Sequence, residues 1–221
     1  MSQPKPHWQK PHLGEHRFPV SIVVMVVIIL QFALPDSLSL SFQKWICLVE
    51  FGILLSLYTF GPKRLMKHHP PTRLVSFILT SVMTISNTAS AVKLISELIS
   101  GGIGSAPQLL ASGGSIWLTN VVIFSLWFWD LDRGGPGSRA EAKKDWPDFL
   151  FPQMTDPTYA PSGWHPKFFD YLYMSFTNAS AFSPTDVMPL TIWAKMLMLL
   201  QSTTSLIVVG LVVARAVNIL Q

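Results

Sequence analysis

The chain has 221 residues, of which 49% are hydrophobic and only 13% charged, about half the charged share of an ordinary soluble domain. That composition fits one domain whose main solvent is lipid and excludes a typical water-soluble fold. The net charge of +4 does not point to nucleic acid, because the basic residues sit in short runs between apolar stretches, where they set membrane orientation.

The tail from Met1 to Arg17 is polar and holds Pro4, Pro6 and Pro11. It is expected to be mobile or to lie on the surface. Its His7, His12 and His16 lack tight metal-ligand spacing. A helix needs roughly 20 apolar residues to cross the hydrocarbon core, and five stretches come close. The first, Phe18 to Leu34, ends at Pro35-Asp36; its apolar core is too long for a signal peptide and no clean cleavage site follows. The second, Trp45 to Phe60, contains the lone cysteine, Cys47, which excludes an intrachain disulfide. It also contains Glu50, which is either a proton or ion site or a carboxyl paired with a neighbouring helix.

A basic connection follows, with Lys63, Arg64, Lys67, His68, His69 and Arg73, suited to anionic headgroups. The third stretch, Leu74 to Ser100, is rich in Ser and Thr. Its Lys93 and Glu97 are four residues apart and are expected to pair. Asn87, Thr88 and Ser90, with Asn120 on the next helix, suit interhelical hydrogen bonds. The fourth stretch, Ser115 to Leu131, is short and dense in Trp and Phe. Asp130, Asp132 and Arg133 close it, and Gly134-Gly135 supplies a helix stop; the two acids are weak candidates for binding a cation. The polar connection that follows is long enough to carry function or pack as a cap. The fifth stretch, Ile192 to Ile219, has a polar belt at Gln201, Ser202, Thr203, Thr204 and Ser205, with Gly210 two turns further on. The expected fold is all-α and polytopic, with about five transmembrane helices. A tail (1–17), a four-helix region (18–131), a connecting loop (132–168) and a terminal module (169–221) divide it.

The terminal module begins with a segment too short to span, Phe169 to Thr191. Its first half reads as a helix to about Ala181, and Ser183-Pro184 should stop it, since proline disfavours helical geometry in the preceding residue. A short helix, an irregular stretch and a long apolar helix form the layout of a re-entrant loop, where non-helical backbone is buried in protein or lines water. The run Tyr173-Met174-Ser175-Phe176, then Asp186-Val187-Met188-Pro189-Leu190-Thr191, then Ala194-Lys195, resembles the pore loop and inner helix of two-transmembrane potassium channels. The helix end from Val213 to Leu220 resembles the same family. The whole chain also resembles an uncharacterised group of bacterial membrane proteins, a likeness that implies no activity.

The channel resemblance implies a homotetramer and monovalent cations. It places Ser180, Ala181, Phe182, Ser183, Pro184, Thr185 and Asp186 at pore or filter positions. It makes Gln201, Thr204 and Ser205 candidates for lining a cavity, and Gly210 a candidate hinge. The filter itself departs from the family: Ala181-Phe182-Ser183-Pro184-Thr185 lacks both glycines that a potassium filter uses to aim successive carbonyls at the ion. Pro184 also fixes its own φ and lacks a donor N–H.

The expected function is a tetrameric cation channel-like protein with weak or no potassium selectivity. The alternative is a non-conducting structural or regulatory protein that keeps the pore-module fold. There is no Gly-rich phosphate loop, nucleophile elbow or His-Glu-x-x-His pattern, so neither an enzyme nor a cofactor is expected. The expected location is the cell membrane as a multi-pass protein, the inner membrane if the source is bacterial. Lysine and arginine place the tail and the basic connection inside. With five crossings the long connection is then inside too, whereas the potassium-channel resemblance implies the reverse. Either the pore loop is inverted, as in glutamate-receptor channels, or the third stretch with Gly101 to Gly114 hides a re-entrant turn.

Overall fold

The computed structural model describes residues 6–100, 105–180 and 186–220. The described residues are mostly helical, with almost no sheet. Four helices come first: α1 (Phe18–Phe32), α2 (Gln43–Thr59), α3 (Pro70–Ser100) and α4 (Ala106–Leu131). Two short ones, α5 (Pro136–Ala140) and α6 (Pro152–Thr155), lie in the long connection, followed by α7 (Phe168–Ser180) and α8 (Ile192–Leu220). Two-residue antiparallel pairs join β1 (Glu15–His16) to β2 (Arg64–Leu65), and β3 (Phe149–Leu150) to β4 (Met188–Pro189). Among the described residues, three helices are long and apolar enough to cross a membrane: α3, α4 with its extension to Gly134, and α8. α1 is apolar but shorter.

Local chemistry explains most boundaries. Pro19 sits in the first turn of α1, where its fixed φ suits a helix and its missing N–H costs nothing. Pro35 then follows shortly after the helix end. α4 begins nine residues earlier than the apolar stretch from Ser115 implies, and takes Gly113 and Gly114 inside the helix. Gly113 is there because α8 passes so close: a Cβ at Gly113 would lie 2.7 Å from Val212 Cγ2. α3 runs to Ser100 and α4 starts at Ala106; positions 101–104, where the expected re-entrant turn in part falls, lie outside the described residues.

α4 is the central helix, packed against α1, α3, α7 and α8. It runs antiparallel to α8, because Asn120 meets Ser205 while Gly113 meets Val212. α7 lies along α4 in the opposite direction. Its first residue, Phe168, packs edge-on against Trp129, and Ser175 donates to the carbonyl of Val121 at 2.6 Å. Val121 is eight residues back from Trp129, which is about 12 Å along a helix. The chain then comes back to the level where α4 ends. Leu190 N–H donates to Asp148 O at 2.8 Å, and β4 pairs with β3. α7 therefore dips into the bundle and its chain returns to the same end.

That end also holds the tail and the basic connection. Arg17 N–H donates to Lys63 O, Arg17 Nη1 donates to Leu57 O at the close of α2, and Arg73 at the start of α3 donates to Asp130 O at the close of α4. The opposite end is apolar, built on Leu34, Leu38, Leu94, Leu98, Leu109 and Val212. The long connection packs as a cap over the dip. The tail departs from expectation: from Pro6 onward it is docked, with Trp8, Glu15 and Arg17 buried, because charges on the neighbouring cap hold it down.

Candidate functional site

The dipping helix is held by a saturated set of amide bonds. Gln201 is fully buried; its Nε2 donates to Ser175 O at 3.0 Å and to Ser175 Oγ at 2.7 Å. Its Oε1 accepts from Asn178 Nδ2 at 2.8 Å, and the second Asn178 N–H goes to Met198 O at 3.0 Å. Ser202 Oγ donates to Asn178 O, a last-turn carbonyl that has no partner within α7. Every donor of both amides is used, so the tip of α7 has one seat on α8.

Under the other end of α7 lies a buried ionic platform. Arg139, 1% exposed, donates to Trp129 O at 2.6 Å, Asp132 O at 3.0 Å and Glu15 Oε1 at 3.2 Å. Burial opposes the charge on Arg139, but the facing Tyr171, Glu15 and Asp132 outweigh it and hold the guanidinium protonated. Glu15 Oε2 accepts from Trp129 Nε1 at 3.0 Å and from the Phe168 N–H at 2.9 Å, the first N–H of α7. A carboxylate at that position also complements the positive end of the helix. Tyr171 donates its hydroxyl to Asp132 Oδ2 at 2.6 Å, and Asp132 Oδ1 accepts the Asp148 N–H. Asp148 in turn accepts from the Arg133 N–H and from Trp193 Nε1 on α8. Arg133 adopts a left-handed conformation, φ 52°, which costs a non-glycine residue energy. Its guanidinium stabilises that shape by donating to Trp8 O and Lys144 O. The platform thus ties tail, cap, α4, α7 and α8 at one point.

His12 docks the tail on this cap. Its backbone N–H donates to Ala140 O, its ring stacks on His165 at 3.7 Å, and its Nδ1 accepts the Gly14 N–H. An accepting Nδ1 requires the neutral ring. Burial, then the nearby His165, Arg139 and Arg133, push its pKa down to about 4. Between pH 6.5 and about 4 the unfolded chain binds more protons at this position than the folded one. Its contribution is therefore complete above pH 6.5 and lost as pH falls through 4. We expect the unfolding temperature to fall across that window in wild type and to fall less steeply in His12→Gln.

Ser180 ends α7, half-buried, with its hydroxyl on Thr177 O. Asp186 is exposed beyond the dip. The remaining filter positions, Ala181, Phe182, Ser183, Pro184 and Thr185, lie outside the described residues. Of the candidates for lining a cavity, Gln201 is enclosed by α7 within the chain, and Ser205 accepts from Asn120 of α4 at 3.0 Å. Thr204 bonds to Leu200 O of its own helix. Gly210 is exposed with open space where a side chain would go.

Other expectations shift as well. Lys93 donates to Ser39 O, tying α3 to the first connection, where a pair with Glu97 was expected. Thr88 bonds within its own helix, and Asn87 Oδ1 is buried without a partner. Asn120 makes its expected interhelical bond, to Ser205 of α8. A further interhelical set runs through Gln31, Gln43 and Ser86, with Gln43 Nε2 to Ser86 Oγ at 2.7 Å and to Gln31 Oε1 at 2.9 Å. Glu50 is fully buried and neither carboxylate oxygen has a hydrogen-bond partner, so it is not a carboxyl paired with a neighbouring helix. Asp130 and Asp132 do not converge as ligands: Asp132 is spent on Tyr171 and Asp148, and among the described residues no cluster of His, Cys, Asp and Glu is placed to hold a metal. Glu15, Arg139, Asp148 and Asn178 were not singled out in the sequence. Only their polarity beside apolar runs could have marked them. Compared with known proteins, the chain matches no family model, and no curated protein or solved structure is significantly similar to it.

Proposed function

We propose that α4, α7 and α8 form a pore-type module in a five-span membrane protein that assembles, as a tetramer, into a cation channel with weak or no potassium selectivity. The observation that carries this reading is the dip: α7 enters beside α4 to the depth of Val121, ends at Ser180, and the chain returns to the end where it began. One face of α7, with Tyr171, Met174, Ser175 and Ala179, is buried in the bundle, while Phe169, Tyr173 and Phe176 on the other are exposed. α8 supplies the assembly surface, since Leu199, Leu200, Leu206, Val213 and Val217 are exposed along it. Tail, basic connection and long connection share one end with Arg17, Lys63, Arg64, Lys143 and Lys144, and the positive-inside rule puts that end in the cytoplasm of a cell membrane. The pore loop then enters from the inside, inverted relative to potassium channels.

A second reading, a non-conducting protein that keeps the module, is favoured by the enclosure of Gln201 and Ser205 within one chain. Flux separates the two. Purified protein in liposomes should pass monovalent cations with little preference between sodium and potassium. Asp186→Asn should lower cation flux several-fold, because Asp186 is an exposed acid just beyond the dip. An intact oligomer with no flux under any cation or voltage supports the second reading, and a stable monomer removes the first.

A further inference from the structure

We propose that the basic end of the protein carries a discrete binding cleft for one anionic phospholipid. The cleft, about 770 Å³, lies between the start of α3, the loop after α4 and the start of α8. Its lining combines the cations Arg73, Lys143 and Lys144 with the apolar Leu131, Trp193 and Leu197; His68, Ser138 and Asp148 also line it. A free phosphate would use only the cations and an acyl chain only the apolar residues, whereas a phospholipid uses both.

Glu141 accepts the His68 N–H at 2.9 Å and pairs with Lys143 Nζ at 2.9 Å, so the positive charge left for a ligand is carried by Arg73 and Lys144. Asp148 has one oxygen on Trp193 Nε1 and the other on the Arg133 N–H. Arg73 is positioned by its bond to Asp130 O and by stacking over Phe77 at 4.8 Å, with its Nε buried and without a partner. Lys143 and Lys144 are exposed at the mouth. The level fits as well: α4 ends and α8 begins here, with Trp193 among the lining residues, as expected where an apolar core meets headgroups. Gly134 lines the cleft as well. The proposal requires a membrane protein but not conduction.

The test is lipid titration of the purified full-length protein in detergent, read by native mass spectrometry. Phosphatidylglycerol should bind at least tenfold more tightly than phosphatidylcholine, as one lipid per chain. The double variant Lys143→Gln/Lys144→Gln should reduce that affinity at least tenfold, at about a factor of five per surface charge. Lys44→Gln, at the opposite end, should leave it unchanged. The two cleft lysines make no buried contact through their side chains, so the unfolding midpoint of the double variant should match wild type. Equal binding of the two lipids, wild-type affinity in the double variant, or displacement of the lipid by an equal concentration of inorganic phosphate would each overturn the proposal.

Discussion

Arg139→Met is expected to lower stability by about 3–5 kcal/mol, the cost of removing one partner from a buried ion pair. The substitution strands the Glu15 carboxylate, which keeps two donors but loses its counter-charge, and leaves the Trp129 and Asp132 carbonyls short of a donor. The double variant Glu15→Gln/Arg139→Met should cost less than the sum of the two single changes, because no unpaired carboxylate remains at position 15. Unfolding of the detergent-solubilised protein, followed by helical circular dichroism against denaturant, gives all three midpoints. The exposed pair of Lys44 and Asp36, 3.6 Å apart, is the internal comparison. Lys44→Gln should leave the midpoint where it is, since exposed pairs contribute little.

Gly137→Ala should be strongly damaging for a single-methyl change. A Cβ at Gly137 would sit 2.3 Å from Lys67 O and 2.6 Å from Lys67 C. Both atoms are backbone, so no side-chain rotation relieves the contact and the basic connection must move away from α5. Overpacking of this kind costs about 3 kcal/mol, and the movement also pulls the His68 N–H from Glu141. Gly210→Ala is the contrast. Nothing lies within 4 Å of its added methyl, and alanine favours a helix, so stability should hold or rise slightly. The same unfolding measurement compares them. If Gly210 is a hinge in the proposed channel, Gly210→Ala alters flux while its midpoint stays put.

The helices were legible because apolar runs of the required length can hardly do anything else in lipid, and the dip was legible from a short amphipathic run bounded by Pro184 and Pro189. The N-terminal half of α4 was not. Gly113-Gly114 looks like a loop until α8 is known to approach within contact of Gly113, a tertiary fact with no local trace. The docked tail was hidden for a related reason. Glu15 and Arg139 are 124 residues apart, and each looks like an ordinary surface charge until the other is placed beside it. The polar belt on α8 was legible as a feature, but its partners were not: the direction in which Gln201 faces is decided by Ser175 and Asn178, which only the folded position of α7 supplies. Arg17, Lys63, Arg64, Lys143 and Lys144 collect at the end of the bundle that holds both ends of the dip, which is the arrangement the proposed inverted pore loop requires.

The central claim, that α7 enters and leaves from one side, is tested most directly by single-cysteine labelling with a membrane-impermeant maleimide in a Cys47→Ser background. Cysteines at Lys143, Lys167 and Asp186 should label from one face of oriented membranes and a cysteine at Asp36 from the other. If the Asp186 position labels from the face that labels Asp36, α7 crosses the membrane outright and the account is wrong.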